Sequence, residues 1–265
     1  MKPKITLSLQ GIVDSELKTL ESRIIYAREH LAEIVEGLEI GFFAHKIDDI
    51  LESIEDNVVL EAIQGFQANS LHIAGFAKGE MNSKILDRVI SLANDLYERE
   101  SIKSIGYHLD MVEYFDYIRS SSISGLQLNW ENLGSDASSC NTIEEVALAA
   151  QRFPEWGVTL DVAHILEMVP FGQPSIEEYL EKVGDYIKQI HLSWPGNLYS
   201  RDLVGPNTDA RHSLLCVDTK TTSSLIKLIS KLIVDTITIE GVIPLGREGI
   251  RFVKDEVSLI KKNLA

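Results

Sequence analysis

The sequence predicts an α/β protein, a (β/α)8 TIM barrel that forms a single domain over residues 1–265. Short apolar segments typical of strands alternate with longer amphipathic segments typical of helices. Eight such strand–helix units follow one another, and no Pro-, Gly- or Ser-rich linker divides them. Alternation of this kind favours a parallel sheet, and eight units at this length fit a TIM barrel.

The predicted strands are short segments rich in Ile, Leu and Val. They are Ile5–Leu9, Leu38–Phe43, Ser70–Ala74, Ile102–Tyr107, Gly125–Trp130, Gly157–Leu160, Tyr186–Leu192 and Thr236–Ile239. The alternative is an open, doubly wound sheet. No GxGxxG segment follows the first strand and the chain has no Walker A motif, so no nucleotide-binding signature supports that alternative.

The helices are predicted from apolar residues at helical spacing and from N-cap residues. The first runs from Ser15 to Val35, and others span about 47–54, 84–97, 221–233 and 246–264. Thr142 and Ser175 each precede acidic residues and are therefore expected to begin two further helices as N-caps.

The composition bounds the class of protein. The chain has 25 Lys and Arg against 40 Asp and Glu, a formal charge of −15, which repels phosphate backbones and makes nucleic acid an unlikely partner unless a local basic groove or bound metal overrides it. Cys140 and Cys216 form no CxxC motif. The chain shows no signal-peptide pattern and no apolar run of roughly 18 residues. These features predict a cytoplasmic protein with no membrane contact. The oligomeric state is left open.

Ionisable side chains recur near the carboxyl ends of the predicted strands, where TIM barrels carry their active sites. One such residue alone is more often structural, but a whole set on one face would leave unpaired charge unless a cation neutralised it. Imidazoles and carboxylates suit Zn, Mn, Fe or Co better than Ca, and Mg is a further candidate. The six residues are His72, His108, Glu131, Asp161, His191 and Glu240.

From about Ser70 to Pro244, this series of strand ends resembles the xylose isomerase-like TIM barrel superfamily, which includes endonuclease IV, the ketose 3-epimerases and inosose dehydratase. The segment Asp161-Val162-Ala163-His164 matches the Asp-x-x-His pattern of that superfamily. The resemblance implies one divalent metal site at four residues: Glu131, Asp161, His191 and Glu240.

Within the superfamily, the first hypothesis is a metal-dependent isomerase or epimerase acting on a small sugar or polyol. The resemblance then implies that Glu131 and Glu240 bind the metal and also move protons. His164 and Arg211 would contact substrate oxygens. The long segment between Ser193 and Asp218 is expected either to close over the site or to pack on the barrel rim.

The alternative is a metal-dependent phosphoesterase that acts on abasic DNA, as endonuclease IV does. In that case His72 and His108 would bind a second ion, and Glu131 would bridge the two ions. The isomerase hypothesis instead makes His72 and His108 part of the pocket wall. His164 and Asp209 would hold a third ion.

The third site departs from the endonuclease pattern. Arg211 stands where the family has a ligand histidine, and a guanidinium stays protonated and cannot bind a metal. His212 lies one position late, and Gly134 is what remains of a glycine-rich turn. We therefore expect Arg211 to face the cavity and the pair of His164 and Asp209 to hold no metal. A further alternative is a barrel that binds a small ligand or a metal without catalysis.

Overall fold

The protein is described from a computed structural model. The residues described are 2–13, 17–74, 83–134, 137, 141–172, 175–196, 198–199, 212–217, 219–244 and 246–264. Asp209, Arg211 and Cys140 lie outside them. Among the helices of the described residues, none is long and apolar enough to cross a membrane.

Eight parallel strands close into a barrel, which confirms the predicted (β/α)8 fold and excludes the open sheet. They are β1 Lys4–Ser8, β2 Gly37–Phe43, β3 Ser70–Ala74, β4 Ser104–His108, β5 Gln127–Glu131, β6 Gly157–Asp161, β7 Ile187–Leu192 and β10 Thr236–Ile239. Each pairs with its neighbours in order, and β10 pairs with both β7 and β1. Two short antiparallel strands, β8 Trp194–Pro195 and β9 His212–Ser213, lie outside the barrel.

Helices surround the barrel and cover its apolar outer face. Those of the described residues are Leu20–His30, Ile47–Glu55, Asn57–Gln64, Ser83–Glu98, Phe115–Ser121, Ile143–Arg152, Val162–Met168, Ile176–Val183, Thr219–Ile229 and Gly246–Asn263. Apolar strand residues that point outward form one core with the apolar helix faces, and three of them, Ile5, Leu38 and Ile190, are at most 1% exposed.

Capping residues decide where several helices begin. Thr142 and Ser175 accept hydrogen bonds from the backbone N–H three residues on, as the sequence predicts. The helix predicted to begin at Ser15 begins only at Leu20, because the Thr19 side chain caps it. Three additional helices, Asn57–Gln64, Phe115–Ser121 and Val162–Met168, are not predicted from the sequence.

The barrel interior is polar directly below the carboxyl ends of the strands. Side chains two residues apart on a strand face the same side, and on five of the six strands the residue beneath the ionisable one is polar, the exception being Gly106 beneath His108. Gln189 lies below His191, and Thr238 lies below Glu240. The amide of Gln189 donates to the Thr238 hydroxyl over 2.8 Å. This hydrogen-bonded layer supports the residues above it.

The residues that follow the segment 200–211 are held by a buried carboxylate. Glu256, on the last helix, is fully buried and accepts backbone N–H groups from Leu215 over 3.0 Å and from Cys216 over 2.7 Å. Burial raises the pKa of Glu256 to about 7, against the effect of these two hydrogen bonds. Glu256 therefore links the last helix to the residues that directly follow β9.

This carboxylate is expected to make the stability of the protein depend on pH. The folded state keeps a proton that the unfolded state releases, so the free energy of unfolding should fall as pH rises from about 4.5 to about 7. The contribution is about 3 kcal/mol at most. Urea unfolding at pH 5 and pH 8 should show a smaller difference for Glu256→Gln than for the wild type. This role would be contradicted if the difference in unfolding free energy between pH 5 and pH 8 were the same for Glu256→Gln, the wild type and the exposed control Glu248→Gln.

Candidate metal centre

Six strands bring ionisable side chains together at the carboxyl end of the barrel. His108, Glu131 and Asp161 are the last residues of their strands. His191 is the penultimate residue of β7, and Glu240 directly follows β10. His72 lies within β3, where its ring is 5.1 Å from that of His191. The structure thus brings together all six residues that the sequence analysis selects at strand ends.

Four of these residues form one compact group. Glu131, Asp161, His191 and Glu240 each offer a ligand atom, and the four atoms lie within 4.8 Å of one another. His191 Nδ1 is 3.2 Å from Glu131 Oε1 and 3.4 Å from Glu240 Oε2. Metal–ligand bonds of about 2.0–2.2 Å place neighbouring ligand atoms about 3.0–3.4 Å apart, so the group has the dimensions of a divalent-metal site.

Each carboxylate of this group has an oxygen that lacks a hydrogen bond. Glu131 Oε2, Asp161 Oδ2 and Glu240 Oε2 are buried without a hydrogen-bond partner. Imidazole nitrogens lie 3.0–3.6 Å from them, but not with hydrogen-bond geometry. Buried carboxylate oxygens without donors are costly unless a cation compensates them. The residues present therefore fit a divalent ion.

A second group shares Glu131. His72 Nε2 is 3.0 Å and His108 Nε2 is 3.8 Å from Glu131 Oε2, and the three residues offer ligand atoms within 4.8 Å of one another. Glu131 thus directs Oε1 toward His191 and Oε2 toward His72. The carboxylate has the geometry to bridge two ions.

A third group contains His212. Its ligand atom lies within 4.8 Å of those of Asp161 and His164, although the sequence places His212 one position late. Pairing of β9 with β8 positions this residue, and its Nδ1 is 3.7 Å from Glu240 Oε2. Asp209 and Arg211, which are expected from the sequence to lie beside the same third group, are outside the described residues.

Burial and close charge pairs shift the pKa values of the site residues. Burial raises the pKa of Asp161 to about 8, whereas His191 and His72 together overcome burial and hold the pKa of Glu131 well below its usual range. Burial opposes ionisation of His72, but Glu131 and Glu39 raise its pKa to about 10. Burial lowers the pKa of His108 to about 4. Near pH 7 Asp161 therefore keeps its proton, which a bound cation would displace. His108 is neutral, which is the form of imidazole that binds a cation.

Two carboxylates of the site are not among the residues that the sequence analysis selects. Glu39, on β2, is 2% exposed, and its Oε2 is 2.9 Å from His191 Nε2. A single acidic residue inside the apolar segment Gly37–Phe43 was the available signal. Glu167 lies one helical turn after His164, and its Oε2 is 3.3 Å from His164 Nδ1.

Backbone contacts position the ends of β5 and β6. The Asn132 side chain donates to the Asp161 carbonyl over 3.1 Å and accepts the Asp161 N–H over 2.8 Å. A Cβ at Gly134 would collide with the side chains of His164 and Glu167. A larger residue at this position would therefore displace these two side chains of the site.

Tyr199 packs against the barrel rim. Its hydroxyl donates to the Val242 carbonyl over 2.6 Å and accepts the Leu214 N–H over 2.8 Å. The segment after Ser193 was expected either to close over the site or to pack on the barrel rim, and Tyr199 packs on the rim. Trp194 is half-buried in β8 and packs against the same core.

Comparison with known proteins shows the fold of the chain. No family model matches the sequence, and no curated protein matches it. Solved structures do match. The probable 3-DHS dehydratase AsbF of Bacillus anthracis, involved in petrobactin synthesis, superposes with a TM-score of 0.65 at 11% identity and covers 97% of this chain and 98% of its own.

Two other matching structures carry xylose isomerase in their descriptions. A xylose isomerase domain-containing protein of Salmonella typhimurium has a TM-score of 0.62 at 10% identity, covering 100% of this chain and 98% of its own. A xylose isomerase-like TIM barrel protein of Mycobacterium smegmatis, solved with magnesium, has a TM-score of 0.57 at 14% identity and full coverage of both chains. The chain therefore has the fold of the xylose isomerase-like TIM barrel proteins.

Proposed function

We propose that the chain is a divalent-metal-dependent isomerase or epimerase of a small sugar or polyol derivative. One observation carries the proposal: three carboxylates and an imidazole converge at the carboxyl end of the barrel, and one oxygen of each carboxylate is buried without a hydrogen bond. Glu131, Asp161, His191 and Glu240 would hold the ion. The fold shared with xylose isomerase-like proteins, one of them solved with magnesium, supports the same class.

A bound divalent ion would hold two adjacent substrate oxygens and stabilise negative charge on them. In the proposed reaction, one glutamate removes the proton from the carbon next to the substrate carbonyl. The other returns a proton to the opposite face, so that no proton is gained or lost overall. Glu131 and Glu240 are the candidates, because each approaches His191 from a different strand. His164 is 18% exposed and could contact a substrate hydroxyl.

The reaction leaves an isotopic trace that does not require knowledge of the natural substrate. The protein loaded with Mn²⁺, Mg²⁺ or Co²⁺ should be incubated in D₂O with a panel of ketoses and keto-polyols. The proposal expects deuterium at the carbon next to the carbonyl of at least one compound, and loss of that exchange on addition of a chelator. A metal-loaded protein that exchanges no proton in any of them would contradict isomerase chemistry.

The second candidate function is phosphoester hydrolysis of the endonuclease IV kind. The groups around His108 and His212 favour it, because together with the central group they offer ligands for three ions. The two functions differ in the number of ions required. One bound ion favours the isomerase, and three favour the phosphoesterase.

The acidic composition argues against the second candidate. At a formal charge of −15, the protein is expected to bind duplex DNA weakly, with a dissociation constant above about 1 μM at physiological salt. Fluorescence anisotropy with a labelled abasic duplex measures this directly. Submicromolar binding that weakens steeply with salt, or cleavage of the duplex that stops with a chelator, would favour the phosphoesterase instead.

A further inference from the structure

Glu39 lies inside the barrel directly beneath the candidate metal centre. Its carboxylate is held in place from below, because Gln189 Nε2 donates to Oε2 over 2.7 Å and also donates to Thr238 Oγ1 over 2.8 Å. The same oxygen, Oε2, lies 2.9 Å from His191 Nε2. The other oxygen, Oε1, lies 3.8 Å from His72 Nδ1.

We propose that Glu39 is a positioning residue that keeps a proton on His191 Nε2 and thereby presents Nδ1 as the metal-binding nitrogen. The proposal rests on the proposed metal centre. An ionised carboxylate only accepts hydrogen bonds, so a ring nitrogen that faces one carries a proton, and without a metal this holds for both nitrogens of His191. Nδ1 faces Glu131 and Glu240, at 3.2 Å and 3.4 Å, and a divalent ion held there would take the place of its proton, whereas Nε2 would keep the proton that Glu39 accepts.

His72 shows the same arrangement around the same carboxylate. Its Nδ1 faces Glu39, and its Nε2 lies 3.0 Å from Glu131 Oε2. Both imidazoles therefore lie between a lower carboxylate, Glu39, and an upper one, Glu131. At 3.8 Å the contact between Glu39 and His72 is longer than a hydrogen bond, so Glu39 orients His191 rather than His72.

The distances favour a hydrogen bond over a metal ligand at Glu39. Ligand atoms on one ion lie about 3.0–3.4 Å apart when the bonds are about 2.0–2.2 Å long. The 2.9 Å between Glu39 Oε2 and His191 Nε2 is the usual length of a hydrogen bond and lies just below that range. The distances from His191 Nδ1 fall within the range for ligands of one ion.

The test is Glu39→Gln in the full-length protein. An amide has one acceptor oxygen where the carboxylate has two, and it carries no charge, so it supports the imidazole N–H less strongly. Loss of such a partner costs about 10–100-fold in metal affinity. Isothermal titration with Zn²⁺ should show this loss, and the imidazole ¹⁵N resonances of His191 in the Zn²⁺-loaded protein should shift. The control Glu33→Gln removes an exposed carboxylate and should change neither.

The outcomes separate this inference from the proposed function. If the wild type binds no divalent ion, both fail. If the wild type binds and a folded Glu39→Gln variant binds equally well with unchanged His191 resonances, only the role of Glu39 is contradicted. An anomalous-scattering peak between Glu39 and the two imidazoles would make Glu39 a ligand and also overturn it. If Glu39→Gln does not fold, Glu39→Asp, which keeps the charge but shortens the reach, should show an intermediate loss of affinity.

Discussion

Replacing Asp161 by Ala is expected to abolish stoichiometric binding of a divalent metal. Asp161 is fully buried, and its Oδ2 has no hydrogen-bond partner and lies within the four-residue group. Metal content of the purified variant and the increase in melting temperature on addition of Mn²⁺ should both fall to background. The exposed substitution Asp185→Asn should leave both at the wild-type level.

Asp161→Asn separates the role of the residue in binding from its role in folding. The other oxygen, Oδ1, caps the helix Val162–Met168 by accepting the His164 N–H over 2.9 Å, and an asparagine can still do this. Burial raises the pKa of Asp161 to about 8, so the metal-free wild type carries a neutral side chain here near pH 7. Metal-free Asp161→Asn should match the wild type in stability, whereas Asp161→Ala should lose about 1 kcal/mol with its cap. Retention of metal by Asp161→Ala would contradict the proposed site.

Glu240→Gln is expected to remove most of the proton exchange while leaving the protein folded. The amide retains an oxygen but cannot take up a proton, and loss of a positioned acid–base group costs about 10²–10⁴-fold in rate. The measurement is deuterium incorporation into whichever substrate the wild type exchanges, at saturating metal. Glu248→Gln, which removes an exposed carboxylate, serves as the control. Exchange at the wild-type rate would assign the proton transfer to a residue other than Glu240.

The barrel and the strand-end residues could be predicted because they follow from local periodicity. β3 and β10 lie at their predicted positions, since apolar residues bounded by polar ones mark a buried strand. The first helix was predicted too long, because apolar residues at helical spacing also precede the Thr19 cap and follow the last helical residue, His30. A periodic pattern gives the presence of an element more reliably than its ends.

Glu39 and His212 could not be assigned from local sequence. Glu39 lies in the middle of a strand and meets His191 across the barrel, 152 residues away in sequence. The position of His212 depends on the pairing of β9 with β8, which the spacing from the preceding residues does not determine. In both cases closure of the barrel or pairing of strands creates the contact, and neither is encoded in a motif.

The central claim is that Glu131, Asp161, His191 and Glu240 bind one divalent ion. The most direct measurement is anomalous scattering from crystals of protein purified without chelator and soaked in Mn²⁺ or Zn²⁺. We expect one strong peak within bonding distance, about 2.0–2.2 Å, of all four side chains. Additional peaks beside His108 and beside His164 would favour the phosphoesterase. The absence of any peak among these four residues, in crystals that diffract well after the soak, would contradict the account.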